Sequence, residues 1–193
     1  YWLYTGDIEY LKTRAVPFML ESAAFYEDFL YKQDGRLIVN PSYSPEINPS
    51  NMETCVVPNA TMDVAAIKQL LRNLLALNSD VLLTVESDRI RQWKEIITLL
   101  PAYQADDNGE LREWIWPAAT NNPAHRHCSQ LYPLYYDVDP DFAASDALLD
   151  ASRKAIDARL DFRRQINGGS MSYGLALLGI AAAHIGSTEQ AYE

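Results

Sequence analysis

Glu46 sits in the stretch NPSYSPEINPSNMETC, where Pro41, Pro45 and Pro49 stiffen a polar segment around it. A carboxylic acid held at a fixed place can protonate a leaving oxygen, as a glycosidase requires. The proline residues restrict the loop, so Glu46 reads either as a positioned acid or as an ordinary solvated loop charge. A second group is ELREWIWP, with Glu110, Glu113, Trp114 and Trp116 close together. Indole faces stack on the apolar faces of sugars and carboxylates accept their hydroxyls. The same aromatics could equally pack on the body of the protein. The third is PAHRHCSQLYPLYY. His125, Arg126 and His127 are three consecutive hydrogen-bonding side chains, and in an extended segment His125 and His127 point the same way, which suits hydroxyl recognition. His-x-His before Cys128 also invites zinc, but a zinc site needs three or four ligands, and no second Cys or His cluster accompanies it. Neither a metal nor a cofactor is expected. His184 is assigned to the core of the last helix.

These groups need a frame, and hydrophobic spacing supplies one that is mostly helical. Asp7 can cap a helix carrying Ile8, Leu11 and Ala15. Pro17 falls where a second helix could restart, with Phe18, Met19, Ala23, Phe25, Tyr26, Phe29 and Leu30 at helical spacing up to Gly35. GRLIVN reads as a short strand. Thr61 is placed as the cap of TMDVAAIKQLLRNLLALN, whose Val64, Ile67, Leu70, Leu71, Leu74 and Leu75 line one face. Another helix is predicted from about Ser79 to Leu99. Asn108-Gly109 is a hairpin turn signal, with arms at 103–105 and 111–116. Residues 117–140 read as loop and short helix. A helix over Asp146–Arg163 turns Leu148, Leu149, Ile156 and Leu160 inward. NGGS, from Asn167, breaks the chain before a last apolar helix.

The 193 residues are 48% apolar, enough for one domain with a real core. With 16 basic against 26 acidic side chains and a formal net charge of −10, the chain repels phosphate backbones and anionic lipid. Nucleic acid and membrane are excluded as expected partners. The longest apolar run, YGLALLGIAAAHIG, has the length of a buried helix. Cys55 and Cys128 leave a disulfide open. No phosphate-binding glycine loop and no G-x-S-x-G elbow occurs. Asn59-Ala60-Thr61 matches an N-glycosylation sequon. The chain opens on YWLYTGDIEYL and stops at STEQAYE, where Ser187 caps a helix only just begun, so it reads as a piece of a longer protein.

The order of the motifs adds a resemblance. YTGDIEYL, GRLIVNPSYSPE, TMDVAAIKQLL, NGELREW, HRHCSQLYPLY and a terminal AYE occur in the order seen in glycoside hydrolase family 95, across essentially the whole chain. This resemblance implies an all-α fold, an (α/α)6 toroid of which the chain is about half, with long loops and one short hairpin. Residues 1–193 would form a single region, the C-terminal part of the catalytic domain. The implied activity is inverting, exo-acting hydrolysis of terminal α-L-fucosyl or related α-L-galactosyl residues of oligosaccharides or polysaccharides. The family's Ser-Pro-Glu general acid falls on Glu46. The implied substrate-binding residues are Glu113, Trp114, His125, Arg126 and His127.

The family's base, an asparagine assisted by an aspartate, belongs to an upstream segment, so this piece alone is expected to be inactive and to associate through exposed apolar surface. Its expected partners are a carbohydrate substrate and the remainder of the parent chain, and its expected location is secreted or periplasmic. The chain departs from the family's pattern at Gln130, where a histidine is usual, and near Asn167 and Tyr173. These departures keep a second reading open, a non-catalytic sugar-binding or scaffold remnant of the same fold.

Overall fold

The computed structural model describes residues 1–77, 85–166 and 171–192. It divides into two compact units, residues 1–38 with 67–100 and residues 39–66 with 101–193.

The first unit begins with a single turn, α1 (Trp2–Thr5), closed by Gly6 in the left-handed region at φ 66°. Asp7 then caps α2 (Ile8–Tyr10) as expected, its carboxylate accepting the Tyr10 N–H at 2.9 Å. The helix does not restart at Pro17. It runs on through a π turn at Leu11–Ala15 into α3 (Val16–Phe29). Proline lacks an N–H and its ring collides with the carbonyl four residues back. The wider turn, in which Val16 N–H bonds Leu11 C=O, carries the chain past that obstacle. Extended backbone at Leu30 ends α3 short of Gly35.

The two-stranded sheet follows at once: β1 (Tyr31–Gln33) pairs antiparallel with β2 (Arg36–Ile38), Lys32 opposite Leu37. Asp34 and Gly35, both at positive φ, form its turn. The expected strand GRLIVN is therefore half of a hairpin. On the other side of residues 78–84, helix α5 (Ser87–Leu99) ends before Pro101. Its expected start at Ser79 lies outside the described residues; Val85 and Glu86 are not helical. Glu27 of α3 accepts Arg89 Nε at 2.8 Å and the indole N–H of the fully buried Trp93. On α3 Phe18 and Phe25 stay largely exposed.

Helix α4 (Thr61–Leu75) buries Val64, Ile67, Leu71 and Leu74, with Leu70 and Leu75 half-buried at the edges of that face. Thr61 opens the helix, but its hydroxyl donates to Arg112 C=O at 2.6 Å instead of capping it.

The second unit contains α6 (Pro140–Ala143), α7 (Asp146–Ile166), α8 (Ser172–His184) and α9 (Thr188–Tyr192), with a 3-10 turn at Ser129–Leu134. On α7 the buried face is Ala151, Ser152, Ala155, Ile156, Arg159 and Leu160; Leu148 and Leu149 are only half-buried. The turn at Asn108-Gly109 forms, with Gly109 N–H on Asp106 C=O at 2.9 Å and φ 79° at Gly109. Its arms make one bridge, Ala105 to Leu111, and no ladder. Arg112 N–H still bonds Gln104 C=O across the arms at 2.9 Å, but the alternate N–H groups go elsewhere: Leu111 N–H bonds Ala151 C=O of α7, Glu113 N–H bonds the Asn121 side chain, and Ile115 N–H bonds Asn59 C=O. Among the described residues the two-stranded hairpin therefore lies at 31–38. Asn59 is 3% exposed at φ 58°, with its side chain on Val39 N–H, so the sequon residue is a structural joint. Cys55 and Cys128 are both free thiols.

Candidate active site

The Glu46 loop is anchored on both sides of the acid. Ser44 is fully buried and Ile47 is 4% exposed, seated in a small core with Val57, Ala60, Trp114 and Ala119. Ile47 N–H closes a turn on Ser44 C=O at 3.0 Å. Glu46, between these buried neighbours, keeps 55% of its side chain exposed. Upstream, Asp63 in the first turn of α4 accepts Ser42 Oγ at 2.6 Å and Tyr43 N–H at 3.1 Å. Immediately before the acid Ser129 Oγ donates to Pro45 C=O at 2.8 Å, and downstream Asn122 Nδ2 holds Asn48 C=O at 2.9 Å. Seven residues, 42 to 48, are thus tied to α4, to residue 122 and to the 3-10 turn.

Arg126 forms a close ion pair with Glu46, Nη2 to Oε2. His125 and His127 flank it with ring centroids 5.1 Å apart, so the two rings lie on one side as their spacing suggested. His127 N–H donates to His125 Nδ1 at 3.1 Å. A backbone N–H can only donate, so Nδ1 is the acceptor in this bond, while Arg126 Nη1 lies 3.4 Å from Nε2 on the other side of the ring. Burial, then the neighbouring His127 and the guanidinium of Arg126, push His125 down to about 4. His127 is lowered as well, by burial first and Arg126 next.

Both imidazoles are therefore neutral donors and acceptors near pH 7, suited to hydroxyl groups. Below about pH 6.5 the unfolded chain takes up a proton at His125 that the folded chain refuses until about pH 4. Stability should fall as pH drops through that window and be flat above it. Thermal melts of the wild type and of His125→Gln check this: the variant should lose part of the acid-side slope.

A cleft of about 230 Å³ opens beside the acid, lined by Glu46, His127, Tyr132, Tyr136, Tyr173 and Leu177 among others. Tyr136 and Tyr173 present 70% and 59% of their surface to solvent. Tyr173 meets the His127 ring edge-on at 6.4 Å between centroids. Tyr132 and Tyr136 were not singled out in the sequence, although LYPLYY runs on directly from the histidine motif, and Tyr173 was noted only as a departure from the family's pattern.

Gly174 was also missed. A Cβ built there would collide with the Arg126 carbonyl oxygen, so only glycine lets α8 seat against the histidine segment. Gly174→Ala should cost about 1–3 kcal/mol by overpacking. Its denaturation midpoint and the hydrogen exchange of residues 124–128 would both report the displacement.

Glu113 and Trp114, expected beside the substrate, face inward at 1% exposure each. The reason is the pairing of their segment: Trp114 bridges Ala60 and Glu113 C=O accepts Thr61 N–H, which turns both side chains beneath the start of α4. Trp114 fills the small core around Ile47 and Val57, and its Nε1 has no hydrogen-bond partner among the described residues. Glu113 accepts Ser44 Oγ and, at 2.9 Å, Arg159 Nη2. Burial raises Glu113; Arg159 and Ser44 pull it back in part. Gln130 is 3% exposed and is not among the residues that line the cleft, and Asn167 lies outside the described residues. His184 is satisfied, pairing with Leu134 C=O at 2.7 Å, but sits at the surface of α8 instead of the core. Cys128 is 3% exposed, and burial pushes its thiol up to about 11, away from nucleophilic use. Among the described residues no group of three metal-ligating side chains occurs.

The family model described as the glycosyl hydrolase family 95 catalytic domain matches residues 1–193. The chain belongs to this family. It is 31% identical over 139 residues to "Alpha-L-fucosidase 2" of Arabidopsis thaliana, covering 70% of the chain and 16% of that protein. It is 27% identical over 170 residues to "Probable alpha-fucosidase A" of Aspergillus niger, covering 81% of the chain and 20% of that protein. The chain thus spans a fifth or less of the length of these two relatives. Its largely helical described residues, with one two-stranded hairpin, accord with the (α/α)6 fold of the family's catalytic domain. Among the described residues no helix is long and apolar enough to cross a membrane.

Proposed function

We propose that this chain is the C-terminal part of the helical-toroid catalytic domain of an inverting, exo-acting glycoside hydrolase. Its substrate is a terminal α-L-fucosyl or related α-L-galactosyl residue of an oligosaccharide or polysaccharide. The observation that carries this reading is Glu46, exposed on an anchored loop at the lip of a tyrosine-lined cleft, with Arg126 and His127 beside it. Arg126 engages Oε2, so a proton for the leaving oxygen would be carried on Oε1. Glu46 gives that proton to the glycosidic oxygen as the bond to the sugar carbon breaks. Water attacks the opposite face of the sugar and yields its own proton to a base.

By family resemblance that base is an asparagine assisted by an aspartate in another part of the parent protein. Turnover is therefore assigned to the parent and not to this chain alone. His125, Arg126 and His127 bind sugar hydroxyls, and Tyr136 and Tyr173 offer faces for the ring. Glu113 and Trp114 support the site from behind. The reaction needs only protein groups and water, hence no cofactor. The exposed Phe18 and Phe25 fit contact with the remainder of the parent chain. A net charge of −10 suits neither nucleic acid nor an anionic membrane surface as a partner. A secreted or periplasmic location follows from the family resemblance.

The test is hydrolysis of aryl α-L-fucoside and aryl α-L-galactoside by the parent protein, with the anomer of the released sugar followed by NMR. Release of the inverted sugar from one of them is expected. Binding of L-fucose without release on either substrate would make the parent a sugar-binding protein and overturn the reading.

A further inference from the structure

We infer that Arg159, acting through Glu113, is the positioning residue that holds the acid loop and the histidine segment in register. Arg159 lies on the buried face of α7 at 4% exposure. One arm of its guanidinium donates to Glu113 Oε2 at 2.9 Å and the other to His125 C=O at 3.3 Å. Glu113 in turn accepts the hydroxyl of Ser44 and the backbone N–H of Gln130. Ser44 is two residues before Glu46, and Gln130 is three residues after His127. A single buried ion pair thus touches the segments on both sides of the proposed acid.

Stability alone is a poor explanation for such a pair. Removing two charges from water is costly, and well-packed apolar residues in their place are often neutral or better. Geometry is what the pair supplies. Among the described residues its other bonds go to Ser44, His125 and Gln130, in the segments that carry the proposed functional groups. This inference rests on the reading of Glu46 as the acid.

The experiment uses the parent protein with Arg159→Lys, Ser44→Ala and the double variant. Lysine keeps a charge for Glu113 but cannot reach two acceptors with a planar fork. Hydrogen exchange is followed in residues 42–48 and 124–131, and kcat is measured on an alkyl and on a dinitrophenyl α-L-fucoside. Arg159→Lys should speed exchange in both segments together, and Ser44→Ala in 42–48 alone. A displacement near 1 Å costs on the order of 10²-fold. Each variant should therefore lose roughly 10- to 100-fold on the alkyl substrate and much less on the activated one, which needs little protonation. Because both act through one carboxylate, the double variant should be no worse than the poorer single variant.

Unchanged exchange in both segments for a folded Arg159→Lys protein overturns the inference, whatever the activity. So does an equal loss on the two substrates in Ser44→Ala, which keeps the test open if the lysine variant does not fold. Failure of the Glu46 reading is recognised separately, by the response of Glu46→Gln itself.

Discussion

Glu46→Gln in the parent protein is expected to reduce kcat on an alkyl α-L-fucoside by about 10²- to 10⁴-fold. That is about 3 to 5.5 kcal/mol of barrier. The amide keeps the size of the carboxyl group and most of its hydrogen-bonding reach, so sugar binding should change little. The loss has a chemical signature. An alkoxide is a poor leaving group and needs a proton as it departs; dinitrophenolate does not. On a dinitrophenyl fucoside the same variant should be far closer to the wild type. Steady-state kinetics on the two substrates decides the matter. A loss of equal size on both would remove Glu46 as the acid. Glu113 would then be the next candidate acid to test, but it is enclosed with both oxygens bonded to protein groups, and it would have to be uncovered before it could serve.

Trp114→Ala is expected to destabilise the protein by about 3–5 kcal/mol. Trp114 is 1% exposed and packs with Ile47, Val57, Ala60 and Ala119, so truncation leaves a cavity under the acid loop. Against a typical total of about 5–15 kcal/mol, that is enough to unfold much of the population on mild warming. Trp114→Phe should be tolerated much better. It keeps most of the ring and deletes an indole N–H that lacks a partner among the described residues, a group whose burial costs about 1–3 kcal/mol. Urea denaturation ranks the two variants, and titration with L-fucose tests the role. Folded Trp114→Phe protein should bind sugar like the wild type. If it binds much more weakly while remaining folded, the indole meets the sugar after all.

Much of the frame was legible along the chain, because helical spacing is a local property. Val64, Ile67, Leu71 and Leu74 recur with the period of a helix and are buried on α4. Asp7 before Ile8 announces a cap, and the cap is there. Local signals misled where the outcome depends on distant partners. Asn108-Gly109 makes its turn, yet the arms beside it hold only one bridge, because the N–H groups of Leu111, Glu113 and Ile115 bond Ala151, Asn121 and Asn59 instead. Pro17 reads as a break, and a π turn absorbs it.

The candidate site divides along the same line. Residue type and spacing by themselves determined that Glu46 sits on a stiffened loop, that His125 and His127 share a side, and that the motifs stand in family 95 order. Only the tertiary structure decided which of the named side chains reach solvent. Glu113 and Trp114 have the chemistry of sugar ligands, but backbone pairing to Ala60 and Thr61 turns them inward. It also brought Arg159 to Glu113 and His125 from 46 and 34 residues away, and set Tyr173 against His127. Burial depends on what covers a residue in space, and the covering groups come from parts of the chain whose distance along the sequence carries no signal of their contact.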